Sequence, residues 1–209
     1  MIAAFYQTMW VNAVNSRAIS DTSNRFPTSI TPSGATFSIW SYIYYRLFWF
    51  ACCPVARSPR VVQLFEESCR HNQQWVHSFV RCDWASCQSA LSALERTLRR
   101  LRAASTRADD RHLFDVYRTW VSCAGVVQDA LAQRYAANRG ADDRGDDGFS
   151  KLSRILGRPS INRTERGVYR WLLHGLVDKL TQSQIRSLPK GYRKIRTDPT
   201  PLSYYIASP

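Results

Sequence analysis

Apolar residues recur along much of the chain with the spacing of α-helices. In residues 83–102 they alternate at intervals of three and four, at Trp84, Cys87, Leu91, Leu94, Leu98 and Leu101. Residues 111–135 repeat the spacing at Leu113, Tyr117, Trp120, Ala124, Val127 and Leu131. This spacing places an apolar stripe along one side of a helix, where it packs against a neighbouring helix. Both segments are therefore predicted to be helices of a bundle.

Three further segments are predicted to be helical. Residues 61–80 carry apolar residues at helical intervals, and residues 165–180 follow Asn162, which forms a capping-box pattern with Glu165. Residues 37–53 form the one long apolar run. No segment shows sustained strand alternation, so the sequence predicts an all-α five-helix bundle.

The apolar run at residues 37–53 has two interpretations. A membrane span needs ~20 apolar residues, and a central arginine costs roughly 2.5–3.5 kcal/mol on insertion. The run is shorter than that and carries Arg46 near its middle. We interpret it as a buried core helix, and a single membrane span is the alternative.

The remaining segments predict three parts along the chain. Residues 1–36 are rich in Ser, Thr, Asn and Pro, which predicts an N-terminal arm with a short helix over 5–14. Residues 37–181 form the predicted bundle, interrupted by an exposed acidic loop at 138–148. Residues 182–209 hold four prolines and are predicted to be an extended tail.

The chain is basic, and the charge is concentrated near its C-terminus. Lys and Arg total 29 against 16 Asp and Glu, a formal net charge of +13. Such a tail suits an acidic protein surface or nucleic acid. The predicted partner-binding residues are Lys190, Tyr192, Arg193, Lys194, Arg196, Tyr204 and Tyr205.

The sequence shows no enzyme motif. It contains no nucleophile elbow, phosphate loop or dinucleotide fingerprint. Its nearest approach to a metal cluster has spacings that match no zinc pattern, at Cys69, His71, His77, Cys82 and Cys87. We therefore predict no catalytic residue, no metal site and no cofactor. The N-terminus lacks a signal-peptide pattern and the cysteines form no disulfide framework, which predicts an intracellular, reducing setting.

Several motifs resemble the translocator protein / tryptophan-rich sensory protein (TspO-like) family. The most specific are Asn12-Ala13-Val14-Asn15, Ile19-Ser20-Asp21, Arg25-Phe26-Pro27, Thr31-Pro32-Ser33-Gly34 and Phe37-Ser38-Ile39-Trp40-x-x-Ile43-Tyr44. Shorter patterns are Asn72-x-x-Trp75 and Tyr117-x-x-Trp120. The resemblance implies a five-helix membrane bundle that binds tetrapyrroles or sterols in a Trp-lined pocket. The pocket residues it implies are Trp40, Asn72, Trp75, Tyr117 and Trp120.

The helices that would cross a membrane in that family carry many charges here. Glu66, Glu67 and Arg70 fall in one of them, and Glu95, Arg96 and Arg99 in the next. Charges at bilayer depth are rare and costly. We therefore expect the bundle to lie in water or inside a protein assembly.

These observations lead to a functional hypothesis with two alternatives. We interpret the chain as a non-catalytic structural subunit of a large assembly, most simply a minor virion capsid or cement protein, in a virion or an organellar complex. Its tail would bind other protein subunits. One alternative is a membrane-associated TspO-like protein that binds a tetrapyrrole or sterol and contacts the membrane through 37–53. The other is a basic nucleic-acid-associated protein.

Overall fold

The computed structural model describes most of the chain. The described residues are 1–26, 28–31, 34–53, 57–137, 148–176 and 180–193, with no side-chain description at 34 and 35. All regular structure within these ranges is helical, which confirms the all-α prediction. The chain divides into two compact units. Unit 1 contains residues 1–25 and 40–122, and unit 2 contains residues 26–39 and 123–209.

The described residues form eight α-helices, where five were predicted. They are α1 (Ile2–Arg25), α2 (Ile39–Cys52), α3 (Pro59–Val80), α4 (Trp84–Ala104), α5 (Ala108–Ala137), α6 (Gly148–Leu156), α7 (Arg163–His174) and α8 (Gln182–Ser187). Two short 3-10 helices span Gly34–Ser38 and Lys190–Tyr192. The five predicted helices correspond to α2, α3, α4, α5 and α7. The predicted three-part organisation, with boundaries after residues 36 and 181, stays a prediction.

Helix α1 is longer than the short helix expected over 5–14. Polar side chains in its second half bond back to the helix itself. Asn15 Nδ2 donates to the Val11 carbonyl at 2.8 Å, and Ser16 Oγ donates to the Ala13 carbonyl at 2.8 Å. These bonds satisfy the polar groups without ending the helix. The polar composition that suggested an extended arm is therefore compatible with a helix of 24 residues.

Helices α3 and α4 are joined by a short turn and pack against each other as a helical hairpin in unit 1. Ser58 caps the start of α3, and Asp83 caps α4 by accepting from the Ser86 amide at 3.1 Å. Between the helices Cys82 takes the left-handed conformation, with φ of 55°. The apolar stripe predicted for α4 is buried at Cys87, Leu91, Leu94, Leu98 and Leu101, which confirms the packing seam.

Several charged side chains of unit 1 are paired, among them Glu67, one of the charges that argued against a membrane bundle. Asp115, on the part of α5 in this unit, is bonded by Arg102 Nε at 2.7 Å, and Arg118 Nη2 lies 3.8 Å from it. Glu67 accepts from Thr97 Oγ1 at 3.2 Å and lies 3.8 Å from Arg100 Nη1. In the Arg102–Asp115 and Arg100–Glu67 pairs the carboxylate is the less exposed partner, and the arginine reaches the surface.

Unit 2 folds more of the predicted tail than expected. Helix α7 begins with the predicted capping box of Asn162 and Glu165. A second capping box starts α8, and Tyr192 beyond it is only 4% exposed. Arg193 Nε donates to the Leu188 carbonyl at 2.7 Å. Residues 182–193 are thus mostly folded rather than extended, because local caps and a buried tyrosine order them. Residues 194–209 and most of the predicted acidic loop lie outside the described residues.

Candidate functional site

Four of the five residues implied by the family resemblance meet inside unit 1. The ring of Trp40, on α2, packs edge-on against Tyr117 at 5.9 Å and against Trp120 at 6.4 Å, both on α5. The Tyr44 ring stacks on Trp40 at 5.2 Å. Tyr117 and Trp120 are each 3% exposed, whereas Trp40 and Tyr44 are half-buried. Trp40 therefore connects the buried rings with the surface of the unit.

A chain of hydrogen bonds runs beneath these rings. Asn72 on α3 is fully buried, and its Nδ2 donates to the Tyr117 hydroxyl at 3.2 Å. Its Oδ1 accepts from Asn12 Nδ2 on α1 at 2.8 Å. Asn12 Nδ2 also donates to the Thr8 carbonyl at 2.9 Å. The bonds tie α1, α3 and α5 together and satisfy polar groups that burial would otherwise leave unpaired.

We call this group the aromatic–amide cluster, and it consists of Asn12, Trp40, Tyr44, Asn72, Tyr117 and Trp120. Sequence reasoning missed the roles of Asn12 and Tyr44. Both lie in motifs that carry the family resemblance, so the signal was present, but no local pattern in α1 or α2 shows that these residues face α3 and α5.

The cluster is uncharged at neutral pH. Burial is the main cause that raises the pKa of the Tyr44 and Tyr117 hydroxyls above the ordinary tyrosine value of 10.0. Burial likewise raises the pKa of the Cys69 thiol, one turn before Asn72 on α3, to about 11. These groups stay protonated, so they offer neutral hydrogen-bonding atoms beside flat apolar rings. This chemistry suits a flat, mainly apolar ligand with a neutral polar group.

Trp75 departs from the expected pocket. Its ring packs against Phe79 at 5.3 Å, and Phe79 in turn meets the Trp84 ring at 5.7 Å. The Cys87 thiol on α4 lies 3.9 Å from the Trp75 carbonyl oxygen. An aromatic residue four positions along the same helix offers a close packing partner, and here that partner lies towards α4. The Asn-x-x-Trp pattern alone does not distinguish the two directions.

The predicted partner-binding tail is only partly available. Lys190 and Arg193 are exposed, but Tyr192 is buried in unit 2, so it cannot anchor a partner as expected. Lys194, Arg196, Tyr204 and Tyr205 lie outside the described residues. Partner binding by the tail stays a prediction.

An exposed aromatic face runs along α1 and α2 in unit 1. On α1 every fourth residue is exposed and apolar, at Ile2, Tyr6, Trp10 and Val14. On α2 the exposed apolar residues are Tyr45, Phe48 and Trp49. The Tyr6 and Phe48 rings meet at 6.5 Å and join the two stripes. Trp10 is 68% exposed. Contiguous exposed apolar surface of this kind marks a protein or membrane interface.

Helix α2 thus combines both interpretations of residues 37–53. One side of the helix is buried, as a core helix requires, at Ile43, Leu47 and Phe50. The opposite side carries the exposed rings of Tyr45, Phe48 and Trp49. Among the described residues, none of the helices has the length and hydropathy that a membrane crossing requires. The same residues include no group of three His, Cys, Asp or Glu side chains placed to hold a metal ion.

A comparison with protein families finds a match. The family described as TSPO-like protein matches residues 1–140, which cover α1 to α5 and every member of the aromatic–amide cluster. Neither the curated proteins nor the solved structures gave a match. This match contradicts the hypothesis of a virion structural subunit and its intracellular, virion or organellar setting. It favours the alternative of a membrane-associated TspO-like protein. The chain belongs to the TSPO-like protein family.

Proposed function

We propose that this protein is a membrane-associated, non-catalytic binding protein for a flat hydrophobic ligand of the tetrapyrrole or sterol class, held at the aromatic–amide cluster. The observation that carries the proposal is the meeting of Trp40, Tyr117 and Trp120 beside the buried amide of Asn72. Three helices contribute to one site, so the cluster depends on the fold and not on a local motif.

The cluster offers a flat ligand both apolar contact and a polar contact. Aromatic rings give large contact areas at low conformational cost, and offset or edge-on arrangements add about 0.5–1.5 kcal/mol each. Trp40 and Tyr44 are the half-buried rings of the cluster, so a ligand that enters from the surface meets them first, and Trp40 contacts the buried rings behind them. The Asn72–Tyr117 hydrogen bond can be exchanged for one to a hydroxyl, carbonyl or pyrrole nitrogen of the ligand.

The exposed aromatic face supports membrane association. Trp and Tyr side chains favour the lipid–water interface, because the ring is apolar and one edge is polar. A helix with such a face lies in the plane of the interface. The net charge of +13 adds attraction to anionic lipids. Unit 1 therefore presents an apolar face that suits docking on a bilayer surface.

Ligand titration of matched tryptophan variants tests the proposal. Protoporphyrin IX is titrated into the purified chain and its Soret absorbance is followed, and cholesterol is tested as a competitor. Trp40→Ala is expected to weaken binding by roughly threefold to tenfold, the loss of one ring contact. Trp75→Ala is the matched control, since its ring packs towards α4. Equal effects of both variants, or no saturable binding by the unaltered chain, would contradict the proposal.

A further inference from the structure

A polar cavity of about 180 Å³ lies in unit 1, where α3 and α5 begin. The polar residues that line it are Arg57, Ser58, Ser105, Thr106, Arg107 and Asp110. None of them belongs to the aromatic–amide cluster. A single water needs only ~10–15 Å³ of such a cavity, so the space admits a small polyatomic ion together with water.

The guanidinium of Arg57 is held rigidly beside this cavity. Its Nη1 donates to Asp110 Oδ2 at 2.9 Å, and its Nη2 donates to the Phe50 carbonyl at 3.0 Å. Its central carbon lies 3.5 Å from the centre of the Phe50 ring. The side chain is 7% exposed, yet within the described part of the chain Nε has no hydrogen-bond partner. A buried donor without an acceptor calls for a partner that the protein itself does not supply.

Further donors line the same space. Ser58 Oγ accepts from the Val61 amide, so its own proton remains available. The side chains of Thr106 and Arg107 are exposed, and Arg107 Nη1 lies 3.9 Å from Cys53 Sγ. Ser105 is different, because its hydroxyl already donates to the Leu101 carbonyl at 2.8 Å.

The electrostatic balance of the cavity is positive. Arg57 and Arg107 oppose the single carboxylate of Asp110, which gives a formal charge of 2 − 1 = +1. The first turns of α3 and α5 add partial positive charge from their amides. The last turn of α4 also ends near the cavity, and its carbonyl groups carry partial negative charge. One of them, the Leu101 carbonyl, already accepts hydrogen bonds from the Ser105 amide and hydroxyl.

We propose that this cavity binds a phosphate group. Two guanidinium groups and two free hydroxyls line the cavity. A carboxylate has only two oxygens to accept hydrogen bonds from these donors, whereas a phosphate offers more, so the donors suit a phosphate better. The group belongs to free phosphate or to the headgroup of a phospholipid, which share this chemistry. The contacts of Arg57 with Phe50 and of Arg107 with Cys53 place the cavity at the end of α2. The proposal does not rest on ligand binding at the aromatic–amide cluster.

Calorimetric titration of the full chain with inorganic phosphate, at constant ionic strength, tests the proposal. Arg107→Gln is expected to weaken binding roughly tenfold to a hundredfold, as loss of a charge-assisted hydrogen bond does. Arg111→Gln is the matched control: it removes the same charge one turn along α5, and Arg111 does not line the cavity. Both arginines are exposed, so neither change is expected to unfold the chain.

A vesicle experiment separates the two sources of phosphate. Binding to phosphatidylcholine vesicles is compared with binding to the same vesicles doped with phosphatidic acid. Selective loss in Arg107→Gln with inorganic phosphate supports a free ligand, and selective loss only with phosphatidic acid supports a lipid headgroup. Equal losses in Arg107→Gln and Arg111→Gln, or no saturable binding in either experiment, would overturn the phosphate site. Porphyrin titration of Arg107→Gln then shows separately whether the aromatic–amide cluster functions.

Discussion

The hydrogen-bond chain at Asn72 makes a quantitative prediction about stability. Asn72→Ala removes two side-chain hydrogen bonds and leaves the buried Tyr117 hydroxyl without its donor. A typical bond contributes about 0.5–1.5 kcal/mol net, and a stranded buried polar group costs about 1–3 kcal/mol. Asn12 loses less, because its Nδ2 keeps the Thr8 carbonyl. We expect the free energy of unfolding to fall by about 2–4 kcal/mol in total.

A double-mutant cycle isolates the interaction of Asn72 with Tyr117. Tyr117→Phe removes the hydroxyl, so that Asn72→Ala no longer strands it. The two changes together should therefore cost less than the sum of each alone, by about 1 kcal/mol or more. Urea denaturation, monitored by the circular dichroism of the helices, gives the free energy of unfolding of the unaltered chain, the two single variants and the double variant. Gln74→Ala, an exposed amide on the same helix, is the control and should change stability by less than about 0.5 kcal/mol. Additive costs for the two changes would refute the hydrogen-bond chain.

Three further predictions follow from the packing and from the raised pKa values. Leu94→Ala in the α4 seam should cost about 2–5 kcal/mol in urea denaturation, and a cost below about 1 kcal/mol would mean the seam is not buried. Gly175→Ala should destabilise unit 2, because a Cβ would overlap the Thr36 hydroxyl, and Thr36→Gly should recover the loss in thermal melts. Since burial raises the Cys69 pKa from 9.0 to about 11, the stability that the neutral thiol contributes is complete below pH 9.0 and is lost as pH rises towards 11. Cys69→Ala should flatten this decline, and an unchanged slope would show that the thiol is not buried.

The helical pattern predicted the framework of the fold because it encodes which side of each helix is buried. Leu94 and Leu98 fall on the α4 stripe, and the structure buries both. Trp40, Tyr117 and Trp120 were named from motifs alone, and they meet. The Trp75 ring packs against Phe79 instead. A motif gives the position of a residue along a helix, but it does not show which neighbouring side chain the residue contacts.

Features that depend on contacts between distant segments could not be predicted from the sequence. The cavity joins Arg57, before α3, with Arg107 and Asp110 at the start of α5. Arg57 and Asp110 are 53 positions apart along the chain and meet only in the folded unit. The burial of Tyr192 depends in the same way on tertiary packing in unit 2. Glu95 was among the charges that argued against a membrane bundle, and the structure pairs it with Arg99 on the same helix.

Photo-crosslinking tests the central claim, ligand binding at the aromatic–amide cluster, most directly. The chain is mixed with a photoreactive cholesterol analogue, or with protoporphyrin IX under illumination, and the modified residues are located by mass spectrometry. The account predicts saturable labelling near Trp40 on α2 and near Tyr117 and Trp120 on α5, suppressed by excess unlabelled ligand. Labelling that does not saturate, or that falls mainly in α7 of unit 2, would contradict it.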